Sequence, residues 1–310
     1  MAGGTGSIKL VRGIYQETKD IAVISNVADN FWCYGLYICP DIDTVIYGLS
    51  NNLDKKKGWG IKEDTFRFLE YMKKIGEDTW FSLGDKDLST HILRTKMLRE
   101  GKKLSEVTDF FAKKYNIAIS VIPASDNHYE THVITKNKKM MHLQEFWVKN
   151  RGILPVADVV YHQIEKAALS DKAKETLQKS RLIIFAPGNP ISSIGPIINL
   201  EGFKTTVKPF RKKIITISPF VSDRAISGPS EKYMKAKGIK PNCQGIIDFY
   251  SEYCENFVFS DADKNKIKIK KSKDTYNINN TNLYFTNIIM NSLGEERSFA
   301  KYLLSRFYYD

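Results

Sequence analysis

Four short apolar runs constrain this chain more than any other feature: Ile21-Ala-Val-Ile-Ser25, Ile117-Ala-Ile-Ser-Val-Ile122, Arg181-Leu-Ile-Ile-Phe185 and Ile214-Ile-Thr-Ile-Ser218. Each is too short for a helix, rich in β-branched residues and bounded by polar ones, the pattern of a strand buried on both faces. Helical patterns lie between them, over Asp64 to Lys74, Asp87 to Arg99, Leu104 to Tyr115 and Asp171 to Lys179. Alternation of this kind specifies an α/β fold with a mainly parallel sheet covered on both faces. From 129 to 160 the pattern changes to alternating aromatic and β-branched residues. That stretch reads as an insertion of two or three antiparallel strands, with Gln144-Glu-Phe-Trp-Val148 in the middle one. The Lys/Asn-rich segment 264–281 reads as a loop or edge hairpin, and a helix from about Glu295 to Phe307 closes the chain.

Parallel sheets bind ligands at the carboxyl ends of their strands. Three of the apolar runs end in polar or Gly/Pro clusters: Asn26-Val-Ala-Asp29-Asn30, Pro123-Ala-Ser125-Asp126 and Ala186-Pro187-Gly188-Asn189-Pro190. The first residues supply a fourth element, Gly3-Gly4-Thr5-Gly6-Ser7-Ile8-Lys9. Such a stretch turns tightly, lets backbone N–H groups approach an anion, and opens a helix over Ile8 to Tyr15 whose positive end faces the same anion. It is neither a Walker A loop nor Gly-x-Gly-x-x-Gly, because Lys9 stands where the third glycine belongs. The competing reading is a flexible tail. Only Met1 and Ala2 precede these glycines, where a phosphate loop ordinarily follows a strand.

Carboxylates gather in the next segment. Pro40-Asp41-Ile-Asp43-Thr44 starts a helix, and Asp85 and Asp87 flank Lys86. Asp87, His91 and Arg94 stand at i, i+4 and i+7, so one helix face presents an acid, an imidazole and a guanidinium. Such a face can hold Mg²⁺, clamp a phosphoryl oxygen and take a proton. It can equally be N-capping aspartates on a solvated, ion-paired helix. His128, His132, His142 and His162 are scattered and receive no role. Trp32, Trp59, Trp80 and Trp147 read as packing, with one or two available to wall a slot for a flat ring.

The formal net charge of +12 suits an anionic partner. The basic runs Lys55–Lys57 and Lys268–Lys273 lack the interleaved aromatics of a nucleic-acid platform, so no nucleic-acid partner is expected. There is no run of eighteen apolar residues and no signal pattern, so neither a membrane span nor export is expected, and the protein is placed in the cytoplasm. Cys33, Cys39, Cys243 and Cys254 form no C-x-x-C pair and read as reduced thiols without zinc.

Taken in order, the motifs resemble a known family. They are Gly3-Gly-Thr-Gly6-Ser-Ile-Lys9-Leu, Asn26-Val-Ala-Asp29-Asn-Phe-Trp32, Tyr37-Ile-Cys-Pro-Asp41-Ile-Asp43-Thr44 and Trp59-Gly-Ile61 with Asp64-Thr-Phe66. Leu83-Gly-Asp85-Lys-Asp87 with Thr90-His91-Ile and Arg94, Pro123-Ala-Ser-Asp126, and Gln144-Glu-Phe-Trp147 follow. Gly188-Asn-Pro190 with Ser193-Ile-Gly-Pro196, and Ser227-Gly-Pro229 with Lys232, complete the series. From residue 3 to about 250 this succession resembles the 2-phospho-L-lactate transferase (CofD) family of coenzyme F420 biosynthesis.

The resemblance implies one domain over 1–310 with a Rossmann-like three-layer αβα core, a homodimer, and a Mg²⁺-dependent transferase. Such an enzyme moves a 2-phospholactate (or phosphoenolpyruvate-type) group from lactyl-2-diphospho-5'-guanosine to the deazaflavin FO, giving coenzyme F420-0 and GMP. Carried onto this chain, Gly3, Gly4, Thr5, Gly6, Ser7, Lys9 and Asn26 would cradle phosphate. Gly188, Asn189, Pro190 and Ser192 would form the guanosine side. Asp41 and Asp43 would hold Mg²⁺ or the FO polyol and deprotonate the attacking hydroxyl. Lys86 and Arg94 would steady transition-state charge, and Asp43, Lys86, Asp87 and His91 would contact FO.

The chain departs from the family pattern in three places. Ser7-Ile8-Lys9 replaces Thr-Pro-Lys, Ala186-Pro187-Gly188-Asn189-Pro190 replaces Gly-Pro-Ser-Asn-Pro, and the strand before Gly3 is missing. The expectation is that Met1 is a mis-called start and that the natural chain begins several residues earlier. The rival reading is a non-catalytic nucleotide-sugar-binding regulator of the CofD-like superfamily. Pro40-Asp41-Ile-Asp43, Trp59-Gly-Ile61 and Gln144-Glu-Phe-Trp147 favour the transferase branch.

Overall fold

The computed structural model describes every residue except 267–269, 273–274, 279–280 and 310, and describes 5, 270–272 and 275–278 by backbone alone. In chain order the first half carries α1 (Gly4–Glu17), β1 (Ala22–Ser25), β2 (Phe31–Cys33), β3 (Leu36–Ile38), α2 (Pro40–Leu49), α3 (Arg67–Lys74), α4 (Asp85–Arg99), α5 (Leu104–Lys114) and β4 (Ser120–Pro123). Then come β5 (Glu130–Thr135), β6 (Met140–His142), β7 (Val156–His162), α6 (Asp171–Lys179), β8 (Ile183–Phe185), α7 (Gly195–Ile198), α8 (Phe203–Val207) and β9 (Ile214–Ile217). The chain ends with β10 (Phe220–Val221), β11 (Arg224–Ala225), α9 (Ser230–Ala236), α10 (Cys243–Tyr250), β12 (Asn256–Ser260), β13 (Lys270–Ser272), β14 (Thr275–Ile278), β15 (Thr281–Thr286) and α11 (Leu293–Phe307).

The four apolar runs become β1, β4, β8 and β9, all in parallel pairings. Strands β8, β9, β12 and β15 continue one sheet in that order, and β14 and β13 add an antiparallel edge. The slot between β1 and β8 is filled by Met1 and Ala2. The Ala2 N–H donates to the Ile24 carbonyl at 2.9 Å, and the Asn26 N–H donates back to the Ala2 carbonyl at 2.9 Å. On the other side the Met1 amino group donates to the Ile184 carbonyl at 2.7 Å, and the Ala186 N–H donates to Met1 at 3.1 Å. The strand expected to be missing is therefore present as two residues. Counted by appearance in the chain, the parallel strands lie in the order 3-2-1-4-5-6-7, the doubly wound arrangement with its switch point between the first and fourth strands.

Strand alternation divides the core between the two faces. Ile215, Ile217 and Val258 pack with Leu10 and Ile14 of α1 and Phe299, Leu303 and Leu304 of α11. Ile214, Phe257 and Phe259 face the other way, into the larger cluster with Phe185, Phe203 and Tyr250. Helix α1 starts at Gly4, four residues before the expected start at Ile8, so the glycines form its first turn. It lies against α11 through Gly13, where a Cβ would overlap the Glu296 carbonyl oxygen. Beside it the Arg12 guanidinium and the buried Glu296 carboxylate form a two-pronged ion pair.

Residues 129–160 form an antiparallel sheet in the order β6-β5-β7. The expected middle strand at Gln144–Val148 is instead a π-helical turn, Glu145–Lys149, closed by the Asn150 N–H to the Glu145 carbonyl at 3.0 Å. Aromatic content suggests a strand there, but complete burial of Phe146 fixes the turn. The register of the sheet pairs His132 with His142 and Glu130 with His162, so histidines scattered in sequence meet in space. His128 and His132 lie 3.1 Å and 2.7 Å from the Glu130 carboxylate. Segment 264–281 supplies the β13–β14 hairpin, and part of it, with part of the Lys268–Lys273 run, lies outside the described residues. All four cysteines are free and buried. Among the described residues no helix is long and apolar enough to cross a membrane.

Gly13→Val places a branched side chain against the α11 backbone. The expected loss is about 1–3 kcal/mol of stability, read as a lower urea midpoint. An unchanged midpoint would contradict the close packing of α1 on α11.

Candidate active site

The chain crosses from the Met1–Ala2 strand into α1 and from β8 into Pro187-Gly188-Asn189 on either side of the switch point. A cavity of about 520 Å³ opens there. The two connections touch backbone to backbone. A Cβ on Gly6 would sit 2.6 Å from the Pro187 carbonyl oxygen, and one on Gly188 would sit 2.8 Å from that of Gly3, so neither position accepts a side chain. Ser7 closes the first turn, its hydroxyl donating to the Gly3 carbonyl at 2.7 Å. The Asn189 side-chain carbonyl accepts from the Ile191 and Ser192 N–H groups at 2.9 Å and 3.2 Å. Its amide nitrogen is buried and unpartnered among the described residues.

Two carboxylate pairs line the cavity, and their surroundings differ. The first is Asp29 and Asp41. The Asn26 amide donates to Asp29 at 3.2 Å and to Asp41 at 2.9 Å, and the Gly4 N–H at the start of α1 donates to Asp41 at 2.6 Å. No cation pairs with either among the described residues. Burial pushes Asp41 above the ordinary carboxylate range; burial and then the charge of Asp41 push Asp29 well above it. The second pair is Asp43 and Asp87. Arg94, itself buried, grips both oxygens of Asp43, and the Tyr47 hydroxyl donates to Asp87 at 2.6 Å. Burial pushes Asp43 up despite Arg94 and His91. At Asp87 burial is outweighed by His91, Tyr47 and Arg94, and the carboxyl sits below its ordinary value.

His91 joins the second pair. Its Nδ1 lies 3.0 Å from Arg94 Nη1, a nitrogen that can only donate, so Nδ1 accepts and the ring proton is on Nε2. Nε2 faces Asp87 at 3.2 Å, without hydrogen-bond geometry. Helix α4, which carries Asp87, His91 and Arg94, is anchored by reciprocal capping. Asp64 accepts from the Lys86 and Asp87 N–H groups at 2.8 Å and 3.1 Å, and Asp85 accepts from those of Arg67 and Phe68 at 3.1 Å and 3.0 Å. A Cβ on Gly84 would overlap Asp64, which explains the glycine between them.

Of the residues singled out in the sequence, Gly3, Gly4, Gly6, Lys9, Asp41 and Asp43 line the cavity, as do Asp87, His91, Gly188, Asn189 and Ser192. Ser7, Asn26, Pro190 and Arg94 stand behind it, orienting neighbours, and Thr5 lies in the first turn of α1 with its side chain outside the description. Lys86 does not line it: its ammonium donates to the Glu63 and Lys62 carbonyls at 2.7 Å and 3.4 Å. Lys9 is thus the one Lys or Arg lining the cavity among the described residues. Trp59 and Trp147 are in its wall with Phe81, whereas Trp32 and Trp80 are not. The sequence gives Asp29, Tyr47 and Tyr233 no role, yet all three line the cavity. Only Asp29 carried a signal, its place in the cluster that ends β1.

Residues 1–287 match the family model described as 2-phospho-L-lactate transferase CofD. The 2-phospho-L-lactate transferase of Methanosarcina acetivorans is 38% identical over 266 residues, covering 85% of this chain and 86% of the relative. That of Methanococcoides burtonii is 36% identical over 308 residues, 99% of this chain and 98% of the relative. The crystal structure of a UPF0052-family protein from Bacillus halodurans superposes with a TM-score of 0.55 at 15% identity, covering 83% of this chain and 78% of that one, and so shares the fold. With the match spanning the first strand, both carboxylate pairs and the switch-point loops, this chain belongs to the 2-phospho-L-lactate transferase CofD family.

Proposed function

We propose that the protein is a 2-phospho-L-lactate transferase that moves the 2-phospholactate group, or a phosphoenolpyruvate-type group, from lactyl-2-diphospho-5'-guanosine to FO. The products are coenzyme F420-0 and GMP. The same reading makes it a cytoplasmic homodimer. One observation carries it: at the switch point, beside the positive end of α1, four aspartates line the cavity and one lysine accompanies them. A diphosphate enters such a site only with a divalent cation, and Asp29 and Asp41 are the pair left without a cation of their own. We assign Mg²⁺ to that pair rather than to Asp41 with Asp43, because Arg94 already neutralises Asp43. When bound there, Mg²⁺ neutralises charge on the diphosphate oxygens.

The remaining chemistry falls to side chains. The FO hydroxyl attacks the phosphorus that bears the lactyl oxygen, the bond from that phosphorus to the bridging oxygen breaks, and GMP leaves with the electron pair. Asp43 takes the hydroxyl proton. Burial raises its basicity, and the Arg94 fork fixes its orientation. Asp87, held ionised by its neighbours, accepts from the FO polyol, and Trp59, Phe81 and Trp147 offer flat apolar surface for the deazaflavin ring. Lys9 and the first turn of α1 meet the phosphate oxygens.

Incubation with Mg²⁺, FO and the guanosine donor should release GMP in step with a phosphodiester-bearing deazaflavin. No GMP, together with tight binding of a UDP-sugar, would establish the regulator reading instead. Asp43→Asn should lower kcat by about 10²-fold or more if that carboxylate takes the proton; wild-type turnover in this variant excludes it. Asp29→Asn tests the cation pair through stability. A carboxyl whose folded pKa is raised weakens the fold at every pH above the unfolded carboxylate range, because the unfolded chain ionises more readily, so replacing it should raise the Tm of Mg²⁺-free protein at pH 7.5, by roughly 2–4 °C per kcal/mol recovered. The variant should also lose the Mg²⁺-induced rise in Tm. A lower Tm, or an intact response to Mg²⁺, removes Asp29 from the site.

A further inference from the structure

Two exposed tryptophans, Trp59 and Trp147, line the cavity, and they are held in different ways. Trp59 stands between Gly58 and Gly60, both at positive φ, with the Lys57 ammonium 5.4 Å from its ring. Trp147, 43% exposed, is braced from inside the protein. After the π-helical turn Glu145–Lys149 the chain reverses through Arg151 and Gly152, at φ 51° and 61°. The Gly152 N–H donates to the Phe146 carbonyl at 2.9 Å, which folds the loop back onto the turn. A Cβ on Gly152 would lie 2.6 Å from both Cε3 and Cζ3 of Trp147, so only glycine lets this backbone rest against the six-membered ring of the indole.

Gly152 is held in turn by Lys232 of α9, a residue of the motif series that does not line the cavity. Its ammonium donates to the Gly152 carbonyl and, at 3.5 Å, to that of Leu154. The same ammonium lies 5.7 Å from the ring of Phe146, the buried anchor of the turn. Charge-assisted bonds to two loop carbonyls fix the loop firmly. The root of the turn is fixed as well. The Gln144 N–H donates to His142 Nδ1 at 3.0 Å, and the His142 ring stacks on Phe31 with centroids 5.1 Å apart. Phe31 packs 4.9 Å from Phe81, the wall residue that leads into α4 and Asp87.

We propose that Lys232 and Gly152 are positioning residues for the acceptor of the transfer reaction. Lys232 fixes Gly152, Gly152 fixes the Trp147 indole, and the indole presents a pre-set apolar surface to a flat heteroaromatic ring. A side chain already locked by its neighbours loses little freedom when a ring stacks on it, so the brace strengthens binding without touching the ligand. The ring is that of the acceptor because the turn shares its aromatic packing with Phe81, on the side of the cavity that carries α4. This assignment rests on the transferase reading for the identity of the acceptor, FO.

In the full chain, Lys232→Met removes the ammonium and keeps the length of the side chain. It should raise the KM for FO by about 10-fold and leave the KM for the guanosine donor within about twofold of wild type. Trp147→Ala should raise the KM for FO at least as much. Adding Lys232→Met to it should raise that KM no further, because Lys232 acts through the indole. Gly152→Ala should match Lys232→Met; if strain at its positive φ prevents folding, Lys232→Met carries the test alone. A wild-type KM for FO in Lys232→Met overturns the proposal, including where its Tm falls, which marks a structural brace. Multiplication of the two effects in the double variant also overturns it, as does a rise confined to the donor KM, which assigns the indole to guanine. If the wild type releases no GMP yet binds FO in a fluorescence titration, and Lys232→Met weakens that binding, the transferase reading falls and the brace stands. If the wild type turns over and Lys232→Met matches it, the brace falls and the transferase reading stands. A wild type that neither turns over nor binds FO overturns both.

Discussion

Four backbone hydrogen bonds hold Met1 and Ala2 between β1 and β8, and through them one pair of strands and a longer sheet become a single surface. A parallel sheet interrupted at its middle would expose two unpaired edges inside the protein, where neither could reach water. The same two residues set where Gly3 begins. The chain must turn immediately off the sheet edge into α1, and it does so across from the equally abrupt exit of β8. The cavity at the switch point is the gap between those two departures. Glycine at Gly6 and Gly188 lets the two backbones approach until only a ligand-sized space remains above them.

Electrostatics then divides the site. Four aspartates on one cavity would repel one another strongly in a buried setting, and the fold answers that repulsion on one side only. Arg94 neutralises Asp43, Tyr47 donates to Asp87, and His91 lies beside both carboxyls, so that half carries its own partners. Asn26 orients Asp29 and Asp41 toward one another without supplying charge. An amide fixes the geometry of the two carboxyls and adds no charge of its own. Arg94 thus acts on the second pair from behind, as an orienter of Asp43, and does not line the cavity.

The strands were legible because burial on both faces leaves a continuous apolar run, and β1, β4, β8 and β9 each carry one. Their polar ends located the cavity edge for the same reason: turns must follow strands, and in a parallel sheet the turns share a side. What stayed hidden depends on packing across long sequence separations. The aromatic stretch around Trp147 has β propensity, and only the socket for Phe146 makes it a π-helical turn. The histidines around Glu130 are brought together by a register that no local pattern encodes. Lys86 stands between two aspartates in sequence and invites a role in catalysis, yet its place at the capped start of α4 turns its ammonium toward the carbonyls of Glu63 and Lys62. Tyr233 gives no sequence signal at all, since its place in the cavity wall depends on the packing of its ring near Phe146.

The pair without a basic partner among the described residues is also the pair tied to the start of α1. Asp41 accepts from the Gly4 N–H at 2.6 Å and from the Asn26 amide at 2.9 Å, and that amide reaches Asp29 at 3.2 Å. Burial favours the protonated forms of both carboxyls, so ionising them in the empty site is unfavourable. On the reading proposed above, a divalent cation would remove that cost, and a phosphoryl ligand would in turn be held by the cation. Anion and cation would then bind more tightly together than apart, each improving the setting of the other.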